Sequence, residues 1–227
     1  MSKIKILIVT IKKWNLSNYE KFKQKHQNHL SLYLISKKEK LNKDILFKIN
    51  PDFIFFVHWS TKVSDQIINN FNCYNFHMTD LPFGRGGSPL QNLLLRDIES
   101  TKISLIKMNN KLDQGDIVYK EKFNLKGSAK EIYSSLSIRS FKIIEKILKK
   151  KKLKFLKQKG FIKNFKRIKN NSIVIKENLE LRNIYNQIRM RDAETYEQTF
   201  IKIGKFKIYL KDAKIKSKIV SGKFEIF

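Results

Sequence analysis

The chain has 227 residues, of which 41% are hydrophobic and 17 are phenylalanine, so it can bury one ordinary domain with a small appendage. No apolar run approaches the roughly 20 residues that cross a bilayer, and a membrane protein is therefore not expected. The apolar run at residues 6–9 is too short for a signal peptide. The single cysteine, Cys73, excludes a disulfide framework and cysteine-rich metal sites and favours a cytoplasmic location.

A net charge of +28 is typical of proteins that bind nucleic acid, because clustered lysines neutralise phosphates. Here the lysines are spread along the whole chain and accompany abundant isoleucine and asparagine, a combination that genome composition also produces. We therefore favour general basicity over a specific RNA surface, and nucleic acid stays open as a partner. The densest lysine run, at residues 149–157, is the best candidate for a phosphate-contacting patch, although such runs are most often a solvated helix end.

Short apolar runs alternate with helical patterns through the first part of the chain, which predicts an α/β domain with a mainly parallel sheet. The predicted strands cover residues 4–10, 32–35, 53–57, 74–76, 103–108 and 117–123. The predicted helices cover residues 16–27, 40–48, 64–71 and 88–97, and a long one begins at Ser128 and ends near Lys149. Ser88 followed by Pro89 has the signature of an N-cap and a first helical position.

The pattern changes at about Phe161, where a helix at residues 179–190 precedes two short alternating strands at residues 200–203 and 206–210. We therefore predict a Rossmann-like domain of residues 1–155 and a small α+β region of residues 156–227.

Three polar side chains occur where predicted strands end or turn. Asn75 and His77 lie at the end of one strand, and alternation points both toward the cleft beyond the carboxyl ends of the sheet. Asp113, on a loop between strands, could approach His77 and stabilise its charged form. An amide and a charged imidazole together stabilise an oxyanion. Asp113 would either take a proton from an attacking amine or only orient His77.

Each signal is weak alone, because a single histidine after a strand is more often structural and an asparagine beside a turn usually binds backbone. The glycine-rich residues 84–87 lack the Gly-Lys-Ser/Thr that follows in a phosphate loop. His77 has no second ligand at a helical spacing, so no metal site is expected.

The order of these motifs resembles the folate-dependent formyltransferase family. The matching residues are Asn75-x-His77, the Leu81-Pro82 turn, Arg85-Gly86, Pro89 with Gln91, and Leu112-Asp113-x-Gly115-Asp116-Ile117. The resemblance implies a formyltransferase domain that uses N10-formyltetrahydrofolate as cosubstrate and no metal. It implies that Asn75 and His77 polarise the formyl oxygen and that Asp113 orients His77 and assists proton removal.

The resemblance also implies folate contacts along the turn that follows His77. The residues so implied are Thr79, Asp80, Leu81, Pro82, Phe83, Arg85 and Gly86. Family members commonly read His-Pro-Ser-Leu-Leu-Pro where this chain reads His-Met-Thr-Asp-Leu-Pro at residues 77–82. That difference keeps the three catalytic residues and changes side chains beside the folate.

Within the family, residues 53–60, 77–92 and 188–196 are most similar to sugar N-formyltransferases of surface-glycan pathways, including the pseudaminic-acid type. This implies a nucleotide-linked amino-deoxy sugar as acceptor and leaves a homodimer open. The candidate acceptor-binding residues are Lys13, Trp14, Asn15, His58, Trp59 and Arg189. Trp14 or Trp59 would stack on a base or sugar, and Arg85 and Arg189 would meet a diphosphate; for all of these a packing role is equally open.

Two other interpretations remain. The chain resembles methionyl-tRNA formyltransferases, for which a charge of +28 is natural, but residues 161–227 are tight for the usual tRNA-binding barrel. The second is a non-catalytic RNA-binding protein on the same scaffold. The presence of Asn75, His77 and Asp113 together argues against the second.

Overall fold

The computed structural model describes residues 3–168, 174–175, 179–194 and 196–227. Thr195, which belongs to the sugar-formyltransferase-like segment at residues 188–196, lies outside the described residues. The strands are β1 (Ile4–Val9), β2 (Leu30–Ile35), β3 (Phe53–Phe56), β4 (Cys73–His77), β5 (Phe83–Gly86), β6 (Ser100–Lys107), β7 (Ile117–Asn124), β8 (Lys163–Phe165), β9 (Thr199–Ile203), β10 (Phe206–Lys216) and β11 (Ile219–Ile226). The α-helices are α1 (Lys13–His26), α2 (Lys43–Ile49), α3 (Asp65–Asn70), α4 (Pro89–Leu94), α5 (Ala129–Leu148) and α6 (Leu181–Arg189), and Lys38–Lys40 form a 3₁₀ turn.

A six-stranded sheet runs in the order β2-β1-β3-β4-β6-β7. β1 pairs in parallel with both β2 and β3, and β3 pairs in parallel with β4, whereas β4 and β6 are antiparallel. The predicted α/β class with a mainly parallel sheet is therefore confirmed. Because β1, β3 and β4 are parallel neighbours, their carboxyl ends lie side by side at one edge of the sheet.

The central strands are apolar on both faces because both faces are covered. On one face a buried cluster forms from residues of the strands and of the helices α2 and α3, namely Leu7, Val9, Ile35, Leu46, Ile54, Phe56, Val63, Ile67, Phe71 and Cys73. Ile6 and Ile8, which alternate with that set, are also fully buried. Burial on both faces fixes the register of β1, so the polar residues that follow it are delivered to a defined place.

Helix α1 begins at Lys13, three residues earlier than the sequence predicts. The reason is the buried Asn15, whose Nδ2 donates to Thr10 Oγ1 over 2.7 Å and to the Val57 carbonyl over 3.1 Å. These bonds hold the first helical turn against the residues that follow β1 and β3. The predicted acceptor-binding residues Lys13, Trp14 and Asn15 therefore lie on a helix and not on a loop.

The predicted helix at residues 88–97 is shorter and begins differently. Helix α4 ends at Leu94, and Asp97 has a positive φ of 53°, which breaks the helical path. Ser88 does not cap α4, because its own φ is 49° and its side chain makes no capping bond. Its Oγ instead accepts a hydrogen bond from the Ile168 backbone N–H over 3.1 Å. Ser88 therefore makes a tertiary contact in place of the capping hydrogen bond of an extended N-cap residue.

The N-terminus of α5 carries the cap that the sequence predicts at Ser128. The Ser128 backbone N–H donates to Glu131 Oε2 over 2.8 Å, and the Glu131 N–H donates to Ser128 Oγ over 3.3 Å. This reciprocal pair is a capping box, which satisfies two donors that the helix itself cannot. The helix ends at Leu148, directly before the lysine run, as predicted.

The C-terminal strands form an antiparallel sheet in the order β11-β10-β9. Strand β10 runs through Phe206–Lys216, well beyond the predicted end at Leu210, and β11 is not predicted. Lysine recurs between apolar residues in β10, and the residues of β10 and β11 are all exposed or half-buried. The sequence signal is weak because no continuous apolar face has to be buried there.

The chain divides into two compact units that interleave along the sequence. One comprises Met1–Arg85, Lys102–Glu121 and Ser134–Lys163, and the other comprises Gly86–Thr101, Lys122–Tyr133 and Asn164–Phe227. The division predicted from the sequence, at residue 155, is a single cut and stays a prediction. Within the described residues, no helix has the length and apolar character needed to cross a membrane.

The capping box predicts a measurable share of stability. Ser128→Ala should lower the free energy of unfolding by about 1 kcal/mol, because the Glu131 N–H loses its acceptor at the start of α5. Urea denaturation followed by circular dichroism measures this. The matched control is Ser135→Ala on the exposed middle of the same helix, which should be neutral or slightly stabilising. Equal effects of the two substitutions would contradict the capping role.

Candidate active site

His77 is buried at the carboxyl end of β4, and both of its ring nitrogens face acceptors. Nε2 lies 2.7 Å from the Gly84 carbonyl oxygen, and Nδ1 lies 3.6 Å from Asp113 Oδ1. The side chains of His77 and Asp113 are each only 7% exposed. A backbone carbonyl cannot donate, so it keeps a proton on Nε2, and Nδ1 is the nitrogen that faces the Asp113 carboxylate. The predicted pairing of His77 with Asp113 is thus observed as a close contact.

Asn75 stands two residues before His77 on the same strand, so both side chains leave the same face of the sheet. The residue is half-buried. Within the described residues, its side-chain amide makes no hydrogen bond. A donor beside His77 is therefore available for a ligand oxygen.

Asp113 is held in a strained turn between β6 and β7. Its φ is 53°, a left-handed conformation that few residues other than glycine adopt. Two residues later, a Cβ on Gly115 would lie 1.7 Å from the Lys107 carbonyl oxygen, so only glycine fits there. The main chain of this turn therefore lies directly against β6, and the position of the Asp113 carboxylate follows from it.

The turn after His77 presents main chain more than side chains. Thr79 and Leu81 are fully buried, and the Thr79 carbonyl accepts a hydrogen bond from Ser104 Oγ over 2.7 Å. The peptide bond between Leu81 and Pro82 is cis, and Pro82 is buried. The predicted folate contacts of these three residues stay predictions, and they would have to be made through the backbone.

Asp80 is the half-exposed residue of this turn, and two lysines hold it. Lys102 Nζ lies 2.8 Å from Asp80 Oδ2, and Lys120 Nζ donates both to Asp80 Oδ1 and to the Leu81 carbonyl. Burial raises the pKa of Asp80, but the hydrogen bonds from Lys102 and Lys120 outweigh it and lower the pKa overall. Asp80 is therefore a carboxylate anchored by two lysines.

The remaining predicted folate contacts differ in character. Phe83 is half-exposed. The guanidinium of Arg85 donates to Gln158 Oε1 from Nε over 3.0 Å and from Nη2 over 2.7 Å, so its fork is directed at a glutamine and not at a diphosphate. Gly86 has a φ of 105°, and a Cβ there would lie 2.4 Å from the Phe165 carbonyl oxygen. Glycine is therefore needed here because the main chain of Phe165 packs directly against it.

Aromatic and basic residues collect beyond β1 and β3, at the same edge of the sheet as His77. The rings of Trp14 and His58 have centroids 5.4 Å apart, and Lys12 Nζ lies 5.5 Å from the centre of the Trp14 ring. Trp59 is half-buried, packs against Phe56 and has an enclosed indole N–H without a partner in the described part of the chain. Such a group offers stacking surfaces and a cation to a planar anionic ligand.

His58 is electrostatically distinct within this group. It has a positive φ of 53°, and its Nδ1 is buried. Burial, followed by the nearby charge of Lys12, lowers the pKa of His58 from 6.5 to about 3. The ring is therefore neutral at physiological pH and can stack or exchange one hydrogen bond without adding charge.

The other three predicted acceptor-binding residues differ in their surroundings. Lys13 is exposed at the start of α1, and Asn15 is buried and already bonded to Thr10 and Val57. Arg189 requires a correction: its side chain is 3% exposed and does not face a ligand. Its Nη1 donates to the carbonyls of Leu125 and Gly127, and its Nε donates to Asn186 Oδ1 over 2.8 Å. A diphosphate contact by Arg189 is therefore not supported, because the side chain is buried and its Nε and Nη1 donors already have acceptors.

Two residues beside the site are missed by the sequence analysis. The sequence prediction names Lys13 and not Lys12, because the start of α1 at Lys13 is not apparent from the sequence. Gln158 lies inside the lysine-rich segment, and nothing in its local sequence signals that it reaches Arg85 and the Asp113 turn. Among the described residues there is no group of three or more histidine, cysteine, aspartate or glutamate side chains suited to a metal.

A buried imidazole held between a carbonyl and a carboxylate, with an amide beside it at the edge of a parallel sheet, is an arrangement for carbonyl-transfer chemistry. The family profile described as "Methionyl-tRNA formyltransferase, C-terminal domain" matches residues 169–227. The solved structure of methionyl-tRNA formyltransferase from Clostridium thermocellum is 40% identical, covers 99% of both chains and superposes with a TM-score of 0.95. The chain belongs to the formyltransferase family.

Other relatives are more distant or match a smaller part. Methionyl-tRNA formyltransferase of Buchnera aphidicola subsp. Schizaphis graminum is 36% identical over 91 residues, which are 39% of this chain and 29% of that relative. The chain thus spans less than a third of that curated relative. The N-formyltransferase of Helicobacter canadensis, solved with folinic acid and dTDP-3-aminofucose, is 18% identical over 98% of both chains with a TM-score of 0.64, which indicates the fold alone.

The contacts of Arg189 predict a structural role. Arg189→Met should lower the free energy of unfolding by about 2–3 kcal/mol, because two carbonyls and Asn186 lose a charged donor in a buried place. Chemical denaturation measures the loss. The matched control is Arg139→Met, which removes a half-exposed arginine of α5 that pairs with Glu121 of β7. It should lower the free energy of unfolding by less than about 1 kcal/mol. An Arg189 variant as stable as this control would contradict the assignment.

The low pKa of His58 predicts a specific dependence of stability on pH. Below pH 6.5 the unfolded chain protonates this histidine and the native protein does not, so the free energy of unfolding falls as pH drops toward 3. His58→Asn should remove about 1–2 kcal/mol of the loss between about pH 7 and about pH 5. Denaturation curves at both pH values measure the difference.

Lys12→Met separates the two causes. It removes the charge and leaves the burial, so it should reduce the acid sensitivity only in part, because desolvation is the larger cause. If wild type and His58→Asn lost equal free energy of unfolding between the two pH values, the prediction would be wrong, because His58 would then protonate in the native protein as it does in the unfolded chain.

Proposed function

We propose that this protein transfers a formyl group from N10-formyltetrahydrofolate to the amine of a nucleotide-linked amino-deoxy sugar. The observation that carries the transfer chemistry is the position of His77, with Nδ1 3.6 Å from Asp113 and Nε2 bound to the Gly84 carbonyl. The folate assignment is supported by the shared fold of the Helicobacter canadensis enzyme, whose structure holds folinic acid.

The formyl carbon on N10 is amide-like, and a neutral amine that attacks it forms a C–N bond and places a negative charge on the formyl oxygen. Asn75 Nδ2 would donate a hydrogen bond to that oxygen. His77 Nδ1 would donate a second one in the doubly protonated form of the ring, whose charge Asp113 would balance. Donors that bind the charged oxygen more strongly than the neutral carbonyl lower the barrier. Because Nε2 of His77 is already fixed by Gly84, the ring cannot turn away from this task without losing a buried hydrogen bond.

Asp113 would complete the proton transfers. The attacking amine becomes positively charged, and its proton leaves to the Asp113 carboxylate, directly or through a water. The bond between the formyl carbon and N10 then breaks, and N10 receives a proton, which gives tetrahydrofolate and the formylated amine. The burial of Asp113 keeps bulk water from the carboxylate and strengthens its interaction with His77.

The acceptor proposal rests on the group formed by Lys12, Trp14 and His58. Trp14 and the neutral His58 offer aromatic faces to a base or sugar, and Lys12 offers a positive charge to a diphosphate. Their place at the carboxyl ends of β1 and β3 is next to that of His77 on β4, so an acceptor bound there would direct its amine toward the formyl group.

Methionyl-tRNA is the second candidate acceptor. It is favoured by the name of the Clostridium thermocellum relative and by the profile that matches residues 169–227. A net charge of +28 would assist tRNA binding. Its binding would weaken steeply with added salt, whereas a nucleoside diphosphate would stabilise a sugar-nucleotide enzyme against heat.

A formyl-transfer assay that follows tetrahydrofolate release tests the proposal. The acceptors are a panel of nucleotide-linked 3-amino and 4-amino deoxysugars and charged initiator methionyl-tRNA. Turnover with an amino sugar is expected, and Asn75→Ala or His77→Ala should reduce kcat on the order of 100-fold or more, because each removes one oxyanion donor. Asp113→Asn should also reduce kcat strongly, because the amide cannot take the proton.

His29→Ala is the control for the histidine substitution, since His29 is exposed. It should leave turnover unchanged. Turnover with methionyl-tRNA alone would replace the acceptor in this proposal. RNA binding without turnover of either acceptor would contradict the enzymatic function and favour a binding protein on this scaffold.

A further inference from the structure

We propose that Gln158 is a positioning residue that holds the Asp113 turn against His77. The inference deepens the proposed function and rests on it for its catalytic consequence, but the geometry that carries it is independent of the acceptor. Gln158 Nε2 donates to two carbonyl oxygens of the turn, those of Asp113 and Gly115, each over 2.8 Å.

The other end of the same side chain is also fixed. Gln158 Oε1 accepts from Arg85 Nε over 3.0 Å and from Arg85 Nη2 over 2.7 Å. Arg85 presents a rigid fork, so the amide plane of Gln158 has one orientation in which oxygen faces the arginine and nitrogen faces the turn. The half-buried Gln158 thus connects the strand that follows His77 with the turn that carries Asp113.

The two residues before Gln158 contact the chain beside this turn without a buried side-chain contact. Leu156 exchanges two backbone hydrogen bonds with Ile117, of 2.7 and 2.9 Å. Lys157 forms an ion pair of 2.9 Å with Asp116, but its side chain is 83% exposed. Because exposed ion pairs contribute little, Gln158 is the member of this segment whose side chain fixes the turn.

The turn depends on such support because its conformation is unfavourable by itself. Asp113 has a φ of 53°, and its carboxylate has to stay close to Nδ1 of His77. Without Gln158 two carbonyls lose their donor, and the turn can relax toward a more ordinary backbone. A displacement of about 1 Å at a reacting group reduces turnover on the order of 100-fold.

Glutamine is suited to this place because one end donates and the other accepts. A glutamate of the same shape would still pair with Arg85, but it would set a carboxylate oxygen against the carbonyls of Asp113 and Gly115. Gln158→Glu therefore tests the donor with the shape preserved, and Gln158→Ala removes the whole contact. Lys157→Ala is the matched control, since it removes a neighbouring contact to the same turn.

The first measurement is formyl transfer by the full-length chain, with a parallel assay of N10-formyltetrahydrofolate hydrolysis by water. Gln158→Ala and Gln158→Glu should each reduce kcat by about 10- to 100-fold. The KM for the folate should stay within about threefold of wild type in Gln158→Glu, because this variant keeps the pair with Arg85 and changes only the contact to the Asp113 turn. Lys157→Ala should keep kcat within about twofold.

The second measurement is hydrogen exchange of the peptide that covers residues 107–117, which needs no activity. Both Gln158 variants should exchange faster there than wild type and Lys157→Ala, with thermal unfolding within a few degrees of wild type. Unchanged exchange at residues 107–117 would overturn the inference. A loss confined to KM, or a fall in melting temperature with kcat preserved, would also overturn it, because either would make Gln158 a binding or purely structural residue.

The two measurements separate this inference from the proposed function. Wild type that neither transfers nor hydrolyses the formyl group, together with faster exchange in both variants, would end the proposed function and keep the support of the turn by Gln158. Hydrolysis that falls in the Gln158 variants, in a protein that formylates none of the acceptors, would support the inference and overturn only the acceptor.

Discussion

The site depends on one buried imidazole that is held from two sides. The Gly84 carbonyl accepts from Nε2 of His77 and thereby keeps that nitrogen protonated, and Asp113 faces the other nitrogen. Neither contact lies within a single helix or strand. The contact with Gly84 requires the turn after β4 to fold back, and the contact with Asp113 requires a residue of left-handed conformation in the loop after β6. The parallel sheet matters chiefly because it fixes the position of β4, whose last residue is His77.

The strained elements around His77 support one another. The Asp113 turn lies against β6 because Gly115 permits it, and Gln158 supplies donors to its carbonyls while Arg85 orients Gln158. Strained backbone persists at functional sites only where surrounding contacts over-determine it. Here those contacts are made to main-chain carbonyls, so substitutions that leave Asn75, His77 and Asp113 unchanged can still disturb the geometry.

The sequence predicts the parallel sheet well, because local apolar patterns define it, and it also predicts that Asp113 approaches His77. Apolar runs define β1, β3 and β4, and Asn75 and His77 follow from alternation along a single strand. It does not predict the role of Gln158, whose partners lie more than 40 residues away. It misjudges Arg189 because an arginine near a motif suggests an anion, whereas burial and three acceptors define a structural donor. The exposed strand β11 escapes prediction because no apolar face constrains it.

The interleaving of the two compact units has a consequence for how the chain is made. The first unit receives its last segment only at Lys163, and the second unit begins at Gly86 but is completed by residues 164–227. A ribosome releases the chain from its N-terminus, so the nascent protein carries segments of both units before either is whole. No single cut can divide it into two pieces that each contain one unit, so neither unit can be produced alone as one uninterrupted stretch of this chain.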